Sequence, residues 1–280
     1  MQGKPANIES IAYKWSLKEA SQAYFRALLS DWGIETLLRN HLQSRGIQCK
    51  TIGSSHKKTT CLCSGDLTAQ PVLFLHGTPG SALSWWPYLK NPKPFYVMAL
   101  DRPGFSPVNR NIPDPEKDIE ILKTALEEAA QAQPVIIVGH SMGGGLTVRL
   151  AIDAPEKVKA VVLIGASLDP DLEEIKPVQL AAQKAPLKFF LNRSARNSNE
   201  ELIRYPSFLK TLKPRLRELK CPVLIVHAKK DGLVPFGNVA FMQTNFTGAG
   251  NIETIIEENG DHGIHVRKYR QIMQNMTALV

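Results

Sequence analysis

No apolar run in this 280-residue sequence approaches the ~18–20 residues that a membrane-crossing helix needs. The N-terminus, MQGKPANIESIAYKW, also lacks the basic start and apolar core of about 7–15 residues that mark a secretory signal. Together these absences make a cytoplasmic location the expectation. Cysteine is scarce: Cys49, Cys61, Cys63 and Cys221 stand alone, without a second Cys or His pair at zinc-finger spacing. Reduced thiols in a reducing compartment are expected, and no metal site. Cys61 and Cys63 form a C-x-C pair that a strand would point to one face. The net charge is +8, yet no dense basic block carries it, and His56, Lys57 and Lys58 come nearest to one. Cations spread in this way describe a solvated surface, which argues against a nucleic-acid partner.

The hydrophobic content of 43% is ordinary for a globular chain. PVLFLHG at 71–77, FYVMALD at 95–101, PVIIVG at 134–139, VKAVVLIG at 158–165 and CPVLIVHA at 221–228 are continuous apolar runs, the form of strands buried on both faces. Residues 47–52 and 58–63 read as two shorter strands around a Gly-Ser-Ser turn. Helical periods fall between the runs. Asp114-Pro115 supplies an N-cap with proline at the first helical position. Residues 16–43 read as helical: Ser16 and Glu19 form a capping box, Ala20, Ala23, Tyr24, Ala27 and Leu28 follow, and Ile34, Leu37, Leu38 and Leu42 resume after Gly33. The tail, 265–279, is also helical in pattern. Alternating strands and helices predict a mostly parallel sheet covered on both faces. The exception is the segment from Gly165 to Cys221, which has no strand-like run and reads as a helical insertion, expected to act as a lid. The expected division is a helical extension over 1–45, a core over 46–166 and 220–280, and a lid over 167–219.

The stretch VIIVGHSMGGGLTVRL, 135–150, carries the chemistry. Ser141 stands in G-H-S-M-G between a buried strand and a helix, where the backbone must double back and the positions two residues away must be small. Gly139 and Gly143 meet that need. A glycine-rich turn with an incidental serine is the plainer reading, and the strand-to-helix context favours a nucleophile. Such a serine needs a base held by a third group. Among seven histidines, His140 adjoins Ser141 but should diverge from it, His227 lies inside an apolar run, and His265 should begin the last helix. His262, in ENGDHGIH, occupies a loop after an apolar run and is the favoured base. Asp231, in VHAKKDGLVP, follows a strand end and is the favoured acid. Asp169 is the alternative, and Asp261 should point away from its neighbour His262. The order Ser141, Asp231, His262 is that of one hydrolase class.

With LHGTPGS at 75–81, DRPGFS at 101–106, GHSMGG at 139–144, KKDGLVP and the GDH loop, the chain resembles the α/β-hydrolase superfamily from about residue 47 to the C-terminus. The resemblance implies the α/β-hydrolase fold, a mostly parallel sheet with helices on both faces and a small helical lid. It also implies an oxyanion hole formed by the backbone N–H groups of Thr78 and Met142. Pro79 has no N–H to give. Relatives that open epoxides or remove halide resemble it around HGTPG and DRPGF but use an aspartate nucleophile. A serine at 141 points instead to acyl transfer: an ester, thioester, amide or carbon–carbon bond. HGTPGS also resembles proline iminopeptidases, although the insertion shows no acidic cluster of the kind that would hold a substrate's amino group, with Glu173 and Glu174 one pair of adjacent acids there.

The implied activity is that of a carboxylesterase-type serine hydrolase acting on a small-molecule acyl substrate, without metal or organic cofactor. The alternatives are a non-catalytic ligand-binding protein on the same fold, or a cofactor-free perhydrolase or C–C hydrolase using the same three residues. Leu187, Phe189, Phe190 and Phe208 could line an acyl site or form the insertion's own core. Trp85 and Trp86 pose the same choice.

Overall fold

The computed structural model describes residues 16–22, 25, 33–54 and 57–280. Ala23, Tyr24, Ala27, Leu28 and His56, used above, lie outside them. Eight strands form one sheet in the order β1-β2-β4-β3-β5-β6-β7-β8. They are β1 (Gln48–Ser54), β2 (Lys57–Ser64), β3 (Gln70–Leu75), β4 (Phe95–Leu100), β5 (Val135–His140), β6 (Val158–Ile164), β7 (Val223–Ala228) and β8 (Ile252–Glu257). β1 and β2 pair antiparallel with each other, and β2 pairs antiparallel with β4. All other pairings are parallel. β3 to β7 are buried throughout apart from one residue of β6, which explains their unbroken apolar composition.

One face of the sheet is covered by α3 (Pro115–Ala129) and α4 (Gly143–Asp153), through Leu122, Leu126, Leu146 and Leu150. The other is covered by α2 (Trp86–Lys90) and, at the C-terminus, α10 (Tyr269–Thr277), through Tyr88, Ile272 and Met276. The Asp114 side chain caps α3, with Pro115 opening it, as the sequence predicts. The tail breaks at Lys268 into α9 (Ile264–Arg267) and α10. Cys61 and Cys63 are buried on one face of β2, with their sulfurs 3.6 Å apart. Among the described residues no helix is long and apolar enough to cross a membrane.

Between β6 and β7 the chain is helical, as expected, with α5 (Pro177–Ala182), α6 (Leu187–Phe190) and α7 (Arg193–Leu212). The aromatic residues of this insertion divide. Phe208 is buried beside Tyr205, whereas Leu187, Phe189 and Phe190 are 52%, 78% and 79% exposed. All three are exposed on α6, a single turn, and so form no part of the insertion's core. The tryptophans divide too: Trp85 is in the core and Trp86 is half-exposed.

The N-terminal pattern is also corrected in two places. α1 (Ile34–Gln43) starts after Gly33, which has φ +79°. Its inward residues are Arg39 and Leu42, while Leu37 and Leu38 are exposed. The reason is electrostatic: Arg39 Nη2 lies 2.7 Å from Oδ1 of Asp101, a fully buried carboxylate at the end of β4. That pairing turns the Arg39 face of the helix toward the sheet. In the Ser16 capping box only half forms. Glu19 N–H donates to Ser16 Oγ at 3.2 Å, but Ser16 N–H donates to Gly232 O at 2.9 Å and not to the Glu19 side chain.

Candidate active site

Ser141 occupies the turn between β5 and α4 with φ +56°, alone among the described non-glycine residues in having a positive φ. Its N–H donates to Ile164 O at 3.1 Å, and its carbonyl accepts from Gly144 at 2.9 Å and Ser167 at 3.2 Å. The turn is therefore anchored to β6 and to the loop that follows it. A Cβ on Gly139 would stand 2.5 Å from both Gly143 O and Thr147 Oγ1. That is the physical reason for a glycine two residues ahead of the serine.

Asp231 lies in the loop after β7. Its Oδ1 accepts from the N–H groups of Leu233 (2.9 Å) and Val234 (2.8 Å), and its Oδ2 accepts from His262 Nδ1 at 2.8 Å. Burial opposes ionisation of this carboxyl, but the imidazole and these donors outweigh it and hold its pKa below the ordinary range. In the tautomer that donates Nδ1–H to Asp231, the other ring nitrogen of His262, Nε2, can accept a proton.

Gly165, at φ +49° after β6, fits beneath this pair: a Cβ there would lie 3.3 Å from Asp231 Oδ2 and 3.6 Å from His262 Nδ1. His262 O accepts from His140 Nε2 at 3.1 Å, with the two rings 4.6 Å apart. Burial lowers the His140 pKa well below its usual value, and the neighbouring His265 and His262 push it the same way. His140 is thus a neutral donor behind the site. His265, in α9, stacks on its far side at 3.8 Å. His227 is buried, with Nε2–H donating to Val234 O at 3.2 Å.

The turn after β3 closes the site from the other side. A Cβ on Gly77 would lie 2.7 Å from Ser141 Cβ, so the next residue, Thr78, adjoins the serine turn. Neither Thr78 nor Met142 donates its backbone N–H to another described atom. The opening of α4 adds a favourable dipole at Met142. Asp169 is not at the site: its carboxylate accepts from Asp171 N–H at 3.1 Å and its own N–H donates to Asn238. The side chain of Asp261 turns to Arg267 and to Gly263 N–H.

Three site residues escape the sequence reading. Tyr205 Oη, on α7, lies 3.0 Å from Met142 O and 2.8 Å from Ser167 O, which ties the insertion to the serine turn. Arg102, in DRPGF, pairs with buried Glu201 of α7, and its Nη2 donates to Gly77 O at 3.1 Å. Their only signal was an arginine in a buried loop and a tyrosine and a glutamate in an amphipathic helix, none of which names its partner.

This arrangement can be set beside known proteins. A family model for the alpha/beta hydrolase fold matches residues 70–216, more than half of the sequence. The chain belongs to the α/β-hydrolase fold family. Among curated members it is 28% identical over 144 residues to the mitochondrial palmitoyl-protein thioesterase ABHD10 of Mus musculus, covering 49% of this chain and 48% of that one. It is 24% identical over 209 residues to the 2-hydroxy-6-oxo-6-phenylhexa-2,4-dienoate hydrolase of Comamonas testosteroni, covering 59% of this chain and 73% of that one. The match thus spans about half the length of the first of these α/β-hydrolase relatives. Among solved structures, a bacterial membrane phospholipase A superposes with a TM-score of 0.65 at 19% identity, covering 93% of each chain. At that identity the likeness speaks for the fold.

Proposed function

We propose that this α/β-hydrolase is a serine hydrolase that cleaves a carboxylic ester or thioester through an acyl-enzyme. The observation that carries the reading is the Asp231–His262 hydrogen bond of 2.8 Å beside a serine held at φ +56°. Ser141 Oγ attacks the acyl carbonyl while His262 Nε2 takes its proton. Asp231 fixes the imidazole tautomer and stabilises its charged form. The N–H groups of Thr78 and Met142 receive the oxyanion, each worth about 10²–10³ in rate. His262 then protonates the leaving alcohol or thiol, and water activated by the same ring releases the acid. The Mus musculus relative's name makes acyl thioesters a first class of substrate to try.

Three expectations on domain organisation and location belong to the same reading. The helical insertion over 167–219 serves as a lid, the segment over 1–45 is an extension to the core, and the protein works in the cytoplasm.

The test is labelling with a fluorophosphonate followed by peptide mapping. A stoichiometric adduct on Ser141, absent from Ser141→Ala and slowed at least ~10³-fold in His262→Ala, is the expected result. Folded wild-type protein that takes no label between pH 6 and 9 would sink the reading and leave a ligand-binding role.

A further inference from the structure

His262 is held at three points, one on its ring and two on its backbone, by three different parts of the chain. Its Nδ1 is fixed by Asp231, its carbonyl accepts from His140 Nε2, and its N–H donates to Glu19 Oε2 at 3.2 Å. The third contact spans 243 positions of sequence and comes from ahead of the sheet. It is not isolated. Ser16 N–H donates to Gly232 O at 2.9 Å, in the loop that carries Asp231. Ser16 Oγ accepts from Glu19 N–H at 3.2 Å, and Ala20 N–H closes a helical turn on Ser16 O at 3.0 Å. This turn lies so close that any Cβ on Gly232 would collide with Ser16 and stand 2.8 Å from Glu19 Oε1.

We infer that residues 16–20 form a clip across the two loops that carry Asp231 and His262, and that Glu19 is a positioning residue for the His262 imidazole. The inference rests on the hydrolase reading above. Residues 258–263, between β8 and α9, form an irregular loop that pairs with no strand. Such a loop opens locally unless its backbone groups find acceptors. Glu19 supplies one at the residue whose ring must stay within about 0.5 Å of its productive place. Asp261, the nearest carboxylate in sequence, is engaged with Arg267 and Gly263 and does not fill that role. Glu19 itself touches no reacting atom. Its effect runs through the His262 peptide, so a neutral acceptor of the same shape should serve nearly as well.

The test compares full-length wild type, Glu19→Ala and Glu19→Gln by hydrogen exchange with mass spectrometry and by fluorophosphonate labelling. In Glu19→Ala, exchange of peptides covering 259–263 should quicken by about tenfold or more, with β5 peptides and the thermal midpoint unchanged. The labelling rate constant and kcat on a p-nitrophenyl ester should fall by about tenfold while KM moves less than about twofold. Glu19→Gln should recover most of both. Unchanged exchange at 259–263 in Glu19→Ala overturns the clip. Faster exchange with a labelling rate within about twofold of wild type overturns the positioning role. A wild-type chain that takes no label overturns the hydrolase reading alone, and the exchange arm then decides the clip by itself.

Discussion

Ser141 has a Cβ at a backbone angle that crowds it, and such a residue costs of order 1–3 kcal/mol. The cost is accepted at the one described non-glycine position where a side chain must be lifted clear of a strand end. Ser141→Gly should therefore remove the labelling site and yet raise unfolding free energy by about 0.5–1 kcal/mol. Relief of strain there exceeds the extra unfolded-state freedom of glycine. Urea unfolding checks it, and a loss of stability would contradict the strain argument. Asp231→Asn keeps the shape but offers His262 an amide that can stabilise the wrong tautomer. The acylation rate should drop by about 10³–10⁴ with the fold intact, measured by ester turnover and circular dichroism. At this scale the sequence was informative because strand ends, glycines and turn residues constrain their neighbours. Ser141, Asp231 and His262 could be singled out, and Asp169 set behind Asp231. Gly165 could not, since its requirement comes from the carboxylate and ring that fold over it from elsewhere.

Secondary-structure elements were legible where their periodicity was set by the sheet, and illegible where a single polar contact chose the face. β3 to β7 follow directly from their apolar runs. α1 does not: its leucines suggest one buried stripe, but the buried Arg39–Asp101 pair selects another. Asp101 also accepts from the N–H of Ala82 at 2.7 Å, so the carboxylate organises the start of the segment that leads to α2. Arg39→Ala would leave that carboxylate buried without its cation. It should cost about 3–5 kcal/mol, read as a lower urea midpoint. Exposed Phe189 and Phe190 of α6 should behave in the opposite way, with the double change to serine altering stability by less than about 0.5 kcal/mol. Tyr205 illustrates the remaining blind spot. Nothing in RYPSFLK announces that its hydroxyl will sit against the carbonyl of Met142.

Across the whole molecule the parallel sheet and its two covered faces were expected, because alternating apolar runs and helical periods allow few other architectures. The electrostatics of the interior were not, since they depend on groups far apart in sequence. Burial raises the Asp118 carboxyl to about 7, and nearby Glu201 pushes it the same way. The folded protein keeps this proton to near neutrality, whereas the unfolded chain releases it near the ordinary carboxyl value of 3.8. Between those values the native state binds more protons, so this group makes stability fall as pH rises. Asp118→Asn should thus gain on wild type between pH 5 and pH 8, by about 2–4 kcal/mol, as read from urea midpoints at both pH values. An equal difference at both would show that Asp118 ionises normally.

The buried pairing of Arg102 with Glu201 joins positions 99 residues apart, one beside the Gly77 turn and one on the insertion. Its consequence concerns modularity. Replacing residues 167–219 with the equivalent segment of another hydrolase would strand a guanidinium in the interior, at a cost of about 3–5 kcal/mol. A transplant should succeed only when donor and recipient agree on a carboxylate at that spot, or when DRPGF travels with it. The buried pair thus couples the two segments, and a recombinant that separates Arg102 from Glu201 should lose stability that one carrying both keeps.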